Sequence, residues 1–206
     1  MSLASSRGKA QPLHVRAAPA TAIVSDEALI ARIAGGDLDA LGICFDRHAA
    51  HIRHFVRRLG VSANDVDDLV QLTFIDLSRA AHRFDGRTAA RTWLLGIAAI
   101  IVRRHRRSLR QLLSRITSAR ERPQRPPETP DAQYESAEDY QRFLAAVSRL
   151  SPKRREVFVM ITMEGASGED TARSLGIPLS TVWTRLFHAR RRLQTELGIG
   201  DGEGAA

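Results

Sequence analysis

Apolar residues recur three and four positions apart through eight stretches of this chain, a spacing that predicts helices throughout. The first helix is expected behind Ser25 as its cap, with Asp26 and Glu27 at its positive end. Ala28, Leu29, Ile30 and Ile33 form its stripe, and Gly35-Gly36 ends it. Asp37 then caps a longer helix reaching Leu59 and closed by Gly60. Its predicted core residues are Leu38, Leu41, Phe45, Ile52, Phe55, Val56 and Leu59. A third helix, begun by Ser62 or Asn64, runs from Asp65 to Ala81 and buries Val66, Leu69, Val70, Phe74 and Leu77. Asp65, Asp67 and Asp68 crowd its first turn, where acids complement the helix dipole. A polar loop, Arg83-Phe-Asp-Gly-Arg-Thr88, precedes a fourth helix from about Ala89. There Trp93, Leu94, Ile97, Ala98 and Ile101 face inward. The helix then turns basic at Arg103, Arg104, His105, Arg106, Arg107 and Arg110.

The pattern resumes with a helix from Ser136 to Leu150, its inward face made by Phe143, Leu144, Val147 and Leu150. Ser151 and Pro152 open the next helix, because proline's missing N–H is harmless at the first helical position. Val157, Phe158, Ile161 and Thr162 give it one apolar side, and Gly165 stops it. Ser167 with Glu169 and Asp170 starts a short helix with Ala172 and Leu175 inward, ending at Gly176. Pro178 and Ser180 lead into a last helix with Val182, Leu186, Ala189 and Leu193 at helical spacing.

Two short helices joined by a tight glycine turn, the second basic and amphipathic, have the form of a helix-turn-helix. Its outer face offers Ser180, Thr181, Trp183, Thr184, Arg185, His188, Arg190, Arg191 and Arg192. Arginine forks onto guanine edges or phosphates, and hydroxyls donate to either. The competing reading is a solvated basic face on a small bundle. Turn, caps and charge coincide in one segment, which favours DNA.

Composition narrows the class. The chain has 206 residues, 43% hydrophobic but only 5% aromatic, which suits small aliphatic helical cores. A net charge of +8 points to a polyanionic partner. The single cysteine, Cys44, excludes an internal disulfide framework. Trp93 to Val102, the longest apolar run, is too short to span a bilayer, so a cytoplasmic protein is expected. Residues 114–134 hold Pro123, Pro126, Pro127 and Pro130 and cannot build a core. The expected architecture is all-α: two small helical domains, 23–113 and 135–198, joined by a flexible Pro-rich linker at 114–134. Residues 1–22 and 199–206 are read as a flexible extension and tail.

Cys44, His48, His51 and His54 share one helix face at steps that would suit zinc. One helix rarely presents four tetrahedral ligands and no second cysteine exists, so a helical face with a semi-buried cysteine is preferred. No cofactor or metal is expected. No Ser/His/Asp ordering, Gly-rich phosphate loop or paired carboxylates call for an enzyme.

The order of parts resembles a known family. DVDDLVQLTFIDL, then FDGRTAARTWLLGIA and an arginine cluster, is similar to the core region of bacterial sigma factors. LSPKRREVFVMITMEGASGEDTARSLGIPLSTVWTRLFHARRRL resembles their C-terminal promoter-reading region. The layout from Val24 to Leu197, without a third domain, is similar to the extracytoplasmic-function group. The resemblance implies that Asp68, Leu69, Val70, Gln71 and Phe74 belong to a helix docking on core RNA polymerase. It implies that the loop from Phe84 to Thr88 captures a flipped base of the minus-ten element. With that loop go Arg83, Phe84, Asp85, Arg87, Trp93, Arg103, Arg104, Arg106 and Arg107 as minus-ten contacts. Thr181, Val182, Arg185 and Arg190 match the recognition helix of the minus-thirty-five element. The family also leads one to expect an anti-sigma factor.

The chain departs from the family's pattern at Leu72, where an acid is usual, at Ala99-Ile100, where Arg-Asn is common, and at Ser180, Trp183 and His188. Two other readings stay open on the residues alone. One is a helix-turn-helix regulator acting without polymerase. The other is a sigma-like decoy that binds an anti-sigma factor and does not initiate.

Overall fold

The computed structural model describes residues 24–116 and 135–198. The expected N-terminal extension, most of the linker and the tail lie outside the described residues. Within them the secondary structure is helical, without strands. The N-terminal unit comprises α1 (Asp26–Ala34), α2 (Leu38–Arg58), α3 (Ala63–Ala80) and α4 (Ala90–Ile116), with a 3-10 turn at Ala81–Arg83. The C-terminal unit comprises α5 (Glu135–Arg149), α6 (Pro152–Phe158), α7 (Gly168–Leu175) and α8 (Leu179–Leu197).

Local chemistry sets the boundaries. Ser25 and Asp37 accept hydrogen bonds from the amides of Ala28 and Ala40, and Ser167 accepts from that of Asp170. Each satisfies an amide that the first helical turn leaves without a partner. Ser62 and Ser151 hold cap positions without a side-chain bond to the backbone. Gly60 closes α2 at φ +85°, and a methyl there would also run into the Arg155 guanidinium.

The buried apolar residues form one continuous cluster from Leu29 to Leu193, spanning both units. Phe55, Ile52, Leu77 and Leu95 at its centre each contribute about 1.5–3 kcal/mol through burial. The predicted sets of α3 and α8 are all buried. In α2 the inward register differs from expectation: Leu38 is 76% exposed and Phe45 sits at the margin against Phe74, ring centroids 4.8 Å apart. Ala40, Cys44, His48 and Ala49 turn inward instead. The cause is α1, whose Asp26 takes Arg47 at 2.6 Å and His48 at 3.0 Å and so seats α1 on that side.

The predicted helix from Pro152 to Gly165 is α-helical only to Phe158 and widens into a π turn at Val159–Met163. There the Glu164 amide bonds to the Val159 carbonyl at 2.9 Å. Thr162 faces out and Ile161 is half-buried, contrary to the expected stripe. Helix α4 continues to Ile116, beyond the expected domain end at 113. The two units pack on each other chiefly through α7 against α4.

Candidate nucleic-acid interface

The helix-turn-helix is formed by α7 and α8. Gly176 turns the chain at φ +63°, its amide closing back on α7. Burial of Val182, Leu186, Ala189 and Leu193 pins α8 and fixes which face looks out. Ser180, Thr184, His188, Arg190 and Arg191 are exposed, while Thr181 and Arg185 are half-buried. Arg192 is tied to Glu196 at 2.8 Å. The Thr184 hydroxyl donates to the Ser180 carbonyl at 2.9 Å. Trp183 is 46% exposed, its indole laid over Gly168 at the start of α7. Val182 belongs to the core and offers DNA nothing.

The loop from Phe84 to Thr88 is shaped by its own residues. Asp85 accepts from the Arg87 amide at 3.0 Å, an Asx turn, and Phe84 packs against Trp93 with centroids 5.1 Å apart. Arg83, Asp85 and Arg87 are exposed; Trp93 is half-buried. Beside the loop lies an open groove of about 250 Å³ lined by Asp76, Arg79, Ala80, Arg83, Ile97, Ile100 and Arg104. Arg104 pairs with Asp76 at 2.9 Å. The second departure from the family pattern therefore divides, with Ile100 lining this groove and Ala99 buried.

On α3, Asp68 and Gln71 face solvent, whereas Leu69 and Phe74 are core residues. Leu72 and Ile75 complete the exposed face, each 45% exposed. Leu72 lines a second open groove of about 360 Å³ with Leu69, Asp76, Ile101, Arg104, His105 and Ser108.

Not every expected DNA residue is free. Arg107 is exposed, but Arg103 and Arg106 turn into the contact between the units. Arg103 donates to the Leu175 carbonyl at 3.5 Å and sits 3.1 Å from a Glu156 oxygen. Arg106 and Arg155 both donate to the Leu59 carbonyl. Burial, with Arg106 close by, pushes the Arg155 guanidinium down to about 10. Burial also raises Glu156, a shift opposed by Arg103 and Arg106.

Two acids that matter here escape a reading of periodicity. Glu164, with its side chain 1% exposed, meets Arg58 and His51 at 2.8 Å and Arg91 at 3.5 Å. A carboxylate beside the C-terminal glycine of a helix opposes the dipole, and that was the available sign that cations from elsewhere must face it. Glu156 lies in a run from Arg155 to Met160 that is buried throughout. Phe187, 60% exposed and off the register of the α8 core, adds an exposed apolar group to that helix.

The Cys44/His face divides among different partners. Cys44 is buried, its thiol pushed up to about 11 by burial and by Asp26. His48 goes to Asp26 and His51 to Glu164. Among the described residues no three His, Cys, Asp or Glu side chains converge as metal ligands. Nor is any described helix long and apolar enough to cross a membrane.

Comparison with known proteins gives two family matches in order along the chain. Residues 44–112 match sigma-70 region 2, and residues 140–193 match sigma-70 region 4. The chain is 32% identical over 180 residues to the ECF RNA polymerase sigma factor SigM of Mycobacterium tuberculosis, covering 84% of this chain and 85% of SigM. It is 31% identical over 172 residues to the RNA polymerase sigma factor NccH of Alcaligenes xylosoxydans xylosoxydans, covering 82% and 92%. Among solved structures, RpoE in complex with the anti-sigma factor NepR from Bartonella quintana superposes with a TM-score of 0.64. That pair is 26% identical over 76% of this chain and 95% of RpoE. CnrH in complex with the cytosolic domain of CnrY gives 0.58 at 28% identity, over 85% and 99%.

Proposed function

The chain belongs to the extracytoplasmic-function sigma factors, and from that premise we propose how its exposed faces divide the work of starting transcription. As a sigma factor it binds core RNA polymerase, recognises promoters and directs initiation. The exposed part of α3, Asp68 and Gln71 with Leu72 and Ile75, is assigned to polymerase docking. Leu69 and Phe74 act there as packing that holds the helix. Arg83, Phe84, Asp85, Arg87, Arg104 and Arg107 are assigned to the minus-ten element, with Trp93 supporting Phe84. Ser180, Thr181, Trp183, Thr184, Arg185, His188, Arg190 and Arg191 are assigned to the minus-thirty-five element.

The observation that carries this reading is the face of α8: hydroxyls and arginines point outward from a helix whose opposite side is locked in the core. Its N-terminal part suits base edges and its C-terminal arginines suit phosphates. The loop would hold an unstacked base, lowering the net cost of unpairing. Two DNA contacts on one chain raise the effective concentration of the second. Bond-forming chemistry in this scheme belongs to the polymerase. The similar structure of RpoE with the anti-sigma factor NepR supports a partner of that kind for this chain too.

Substitution of the α3 and α8 faces tests the division. Asp68→Ala with Gln71→Ala is expected to weaken binding to core polymerase while leaving binding to a minus-thirty-five duplex unchanged. Arg190→Ala is expected to do the reverse. Equal losses in both assays from either change would overturn the assignment.

A further inference from the structure

Helices α3 and α4 leave a cleft between them that the core does not fill. Asp76 of α3 stands in it, paired with Arg104 of α4 at 2.9 Å and with Arg79 at 3.5 Å. The part of the cleft beside the minus-ten loop is the open groove of about 250 Å³, lined also by the apolar Ile97 and Ile100 and by Arg83. That volume is below the ~300–1,000 Å³ of sites for drug-sized ligands, and it suits a single planar base. Ile97 lies about one helical turn, ~6 Å, beyond Trp93 on α4. Stacked bases are ~3.4 Å apart along a strand, so the groove is within two nucleotides of a base held by the loop. Asp76 is out of keeping with a surface that meets phosphate. Its oxygens only accept hydrogen bonds, and a carboxylate repels a sugar-phosphate strand. Nor does the fold need it: the Arg104 side chain is 70% exposed, and exposed ion pairs contribute little to stability. An acid in this place is useful against a base that brings N–H donors.

Resting on the promoter-binding reading above, we propose that this groove is a further base-binding site and that Asp76 makes it select guanine in the unpaired strand. An unpaired base is read chiefly on its Watson–Crick edge. On that edge guanine alone carries two neighbouring donors, N1–H and N2–H, which the two oxygens of Asp76 accept together. Its O6 and N7 accept from Arg104 or Arg79, the fork that arginine makes with guanine elsewhere. Ile97 and Ile100 contact the face of the ring. Cytosine and adenine each bring one amine to the carboxylate and set a bare ring nitrogen against its second oxygen. Thymine brings one N–H flanked by two carbonyl oxygens. Each of these three leaves an acceptor facing an acceptor, and the site rejects it for that reason. The two arginines already bracket Asp76, so the donors and the acceptor are in place before DNA arrives.

The test uses the full chain with core RNA polymerase and single-stranded DNA of randomised sequence, retained through a tag on the chain and then sequenced. The wild-type chain is expected to enrich a guanine within two positions of the base whose selection is lost with Phe84→Ala. Replacing that guanine by hypoxanthine removes only the N2 amine and should weaken binding ~10-fold or more, as loss of a hydrogen bond to a charged group does. With Asp76→Ala, guanine and hypoxanthine should bind alike at that position. Alanine favours helix, so circular dichroism should stay unchanged and selection at the Phe84-dependent position should persist. A hypoxanthine penalty that survives Asp76→Ala, or enrichment of another base at the position that Asp76→Ala alters, overturns the guanine site and leaves the promoter reading standing. Failure to enrich any sequence would bring down the promoter reading, and the guanine site with it.

Discussion

On α8, Thr184, His188, Arg190 and Arg191 project from one exposed face, whereas on α4 Arg103 and Arg106 turn into the contact with α6 and α7. Both helices are amphipathic and both concentrate arginine, so composition alone would rank them equally. What separates them is the neighbour. The inward side of α8 is packed within its own unit; on its outer side Arg192 pairs with Glu196, and Arg185 lies close enough to Glu156 to act on it. The corresponding side of α4 meets Glu156, with Glu164 close by taking Arg58 and Arg91. The arginines we propose for DNA are accordingly those whose side chains stay exposed, as Arg190 and Arg191 do and Arg103 and Arg106 do not.

That comparison can be broken or sharpened by experiment. The largest effect concerns the shared core. Phe55→Ala is expected to cost about 3–5 kcal/mol in denaturant unfolding, from lost burial and the cavity left behind. The two tryptophans, Trp93 and Trp183, lie one in each unit and should report a single coincident transition. Two separate transitions would mean that the units are energetically independent and that α4 is not covered.

A smaller effect distinguishes the faces directly. Arg190→Ala is expected to weaken binding to a minus-thirty-five duplex about uniformly across sequences and to reduce its salt slope by about 1, as loss of a phosphate contact does. Arg103→Ala should leave that duplex unaffected. Comparable losses from both changes, in fluorescence anisotropy titrations, would erase the distinction.

Caps provide a finer control on the helix-turn-helix. Ser167→Ala should destabilise the C-terminal unit by about 1 kcal/mol, because it removes the bond to the Asp170 amide. Ser151→Ala removes no such bond and should change the unfolding midpoint little. Equal shifts would show that cap bonding is not what sets α7.

The smallest expected effect is on pH. His51 is lowered from 6.5, first by burial and then by Arg91, Arg58 and His48, against the pull of Glu164. A histidine lowered in the folded chain favours the folded form while neutral. Its contribution is present above pH 6.5 and is lost as pH falls through that value towards the lower one. Asp26 is also lowered: burial would raise it, but its bonds to Arg47 and His48 outweigh that. Its support for α1 is therefore present above pH 3.8 and lost as pH falls through its folded value. The unfolding midpoint should fall on mild acidification below pH 6.5, and His51→Gln should flatten that response.

Most of the architecture was legible because it is local. Ser25, Asp37 and Ser167 announced their helices through bonds three residues away, and the α8 register followed from one apolar stripe. Leu38 misled because an apolar residue in a first helical turn need not have anything to pack against. Glu164 was missed for a different reason. Its partner Arg58 is 106 positions away, and periodicity carries no trace of a contact at that range. The Asp68–Gln71 face and the loop at Phe84 could be named from motif resemblance, while the burial of Leu69 and Phe74 was already legible in the apolar stripe of α3. Trp183 was the opposite case, prominent in sequence and in the structure occupied with Gly168.

The most direct test of the account is run-off transcription by core RNA polymerase from a genomic promoter library, with and without this chain. A selective set of transcripts that depends on the chain, and that is lost with Arg190→Ala, is the expected result. Tight binding to core polymerase with no chain-dependent transcript from any promoter would contradict it.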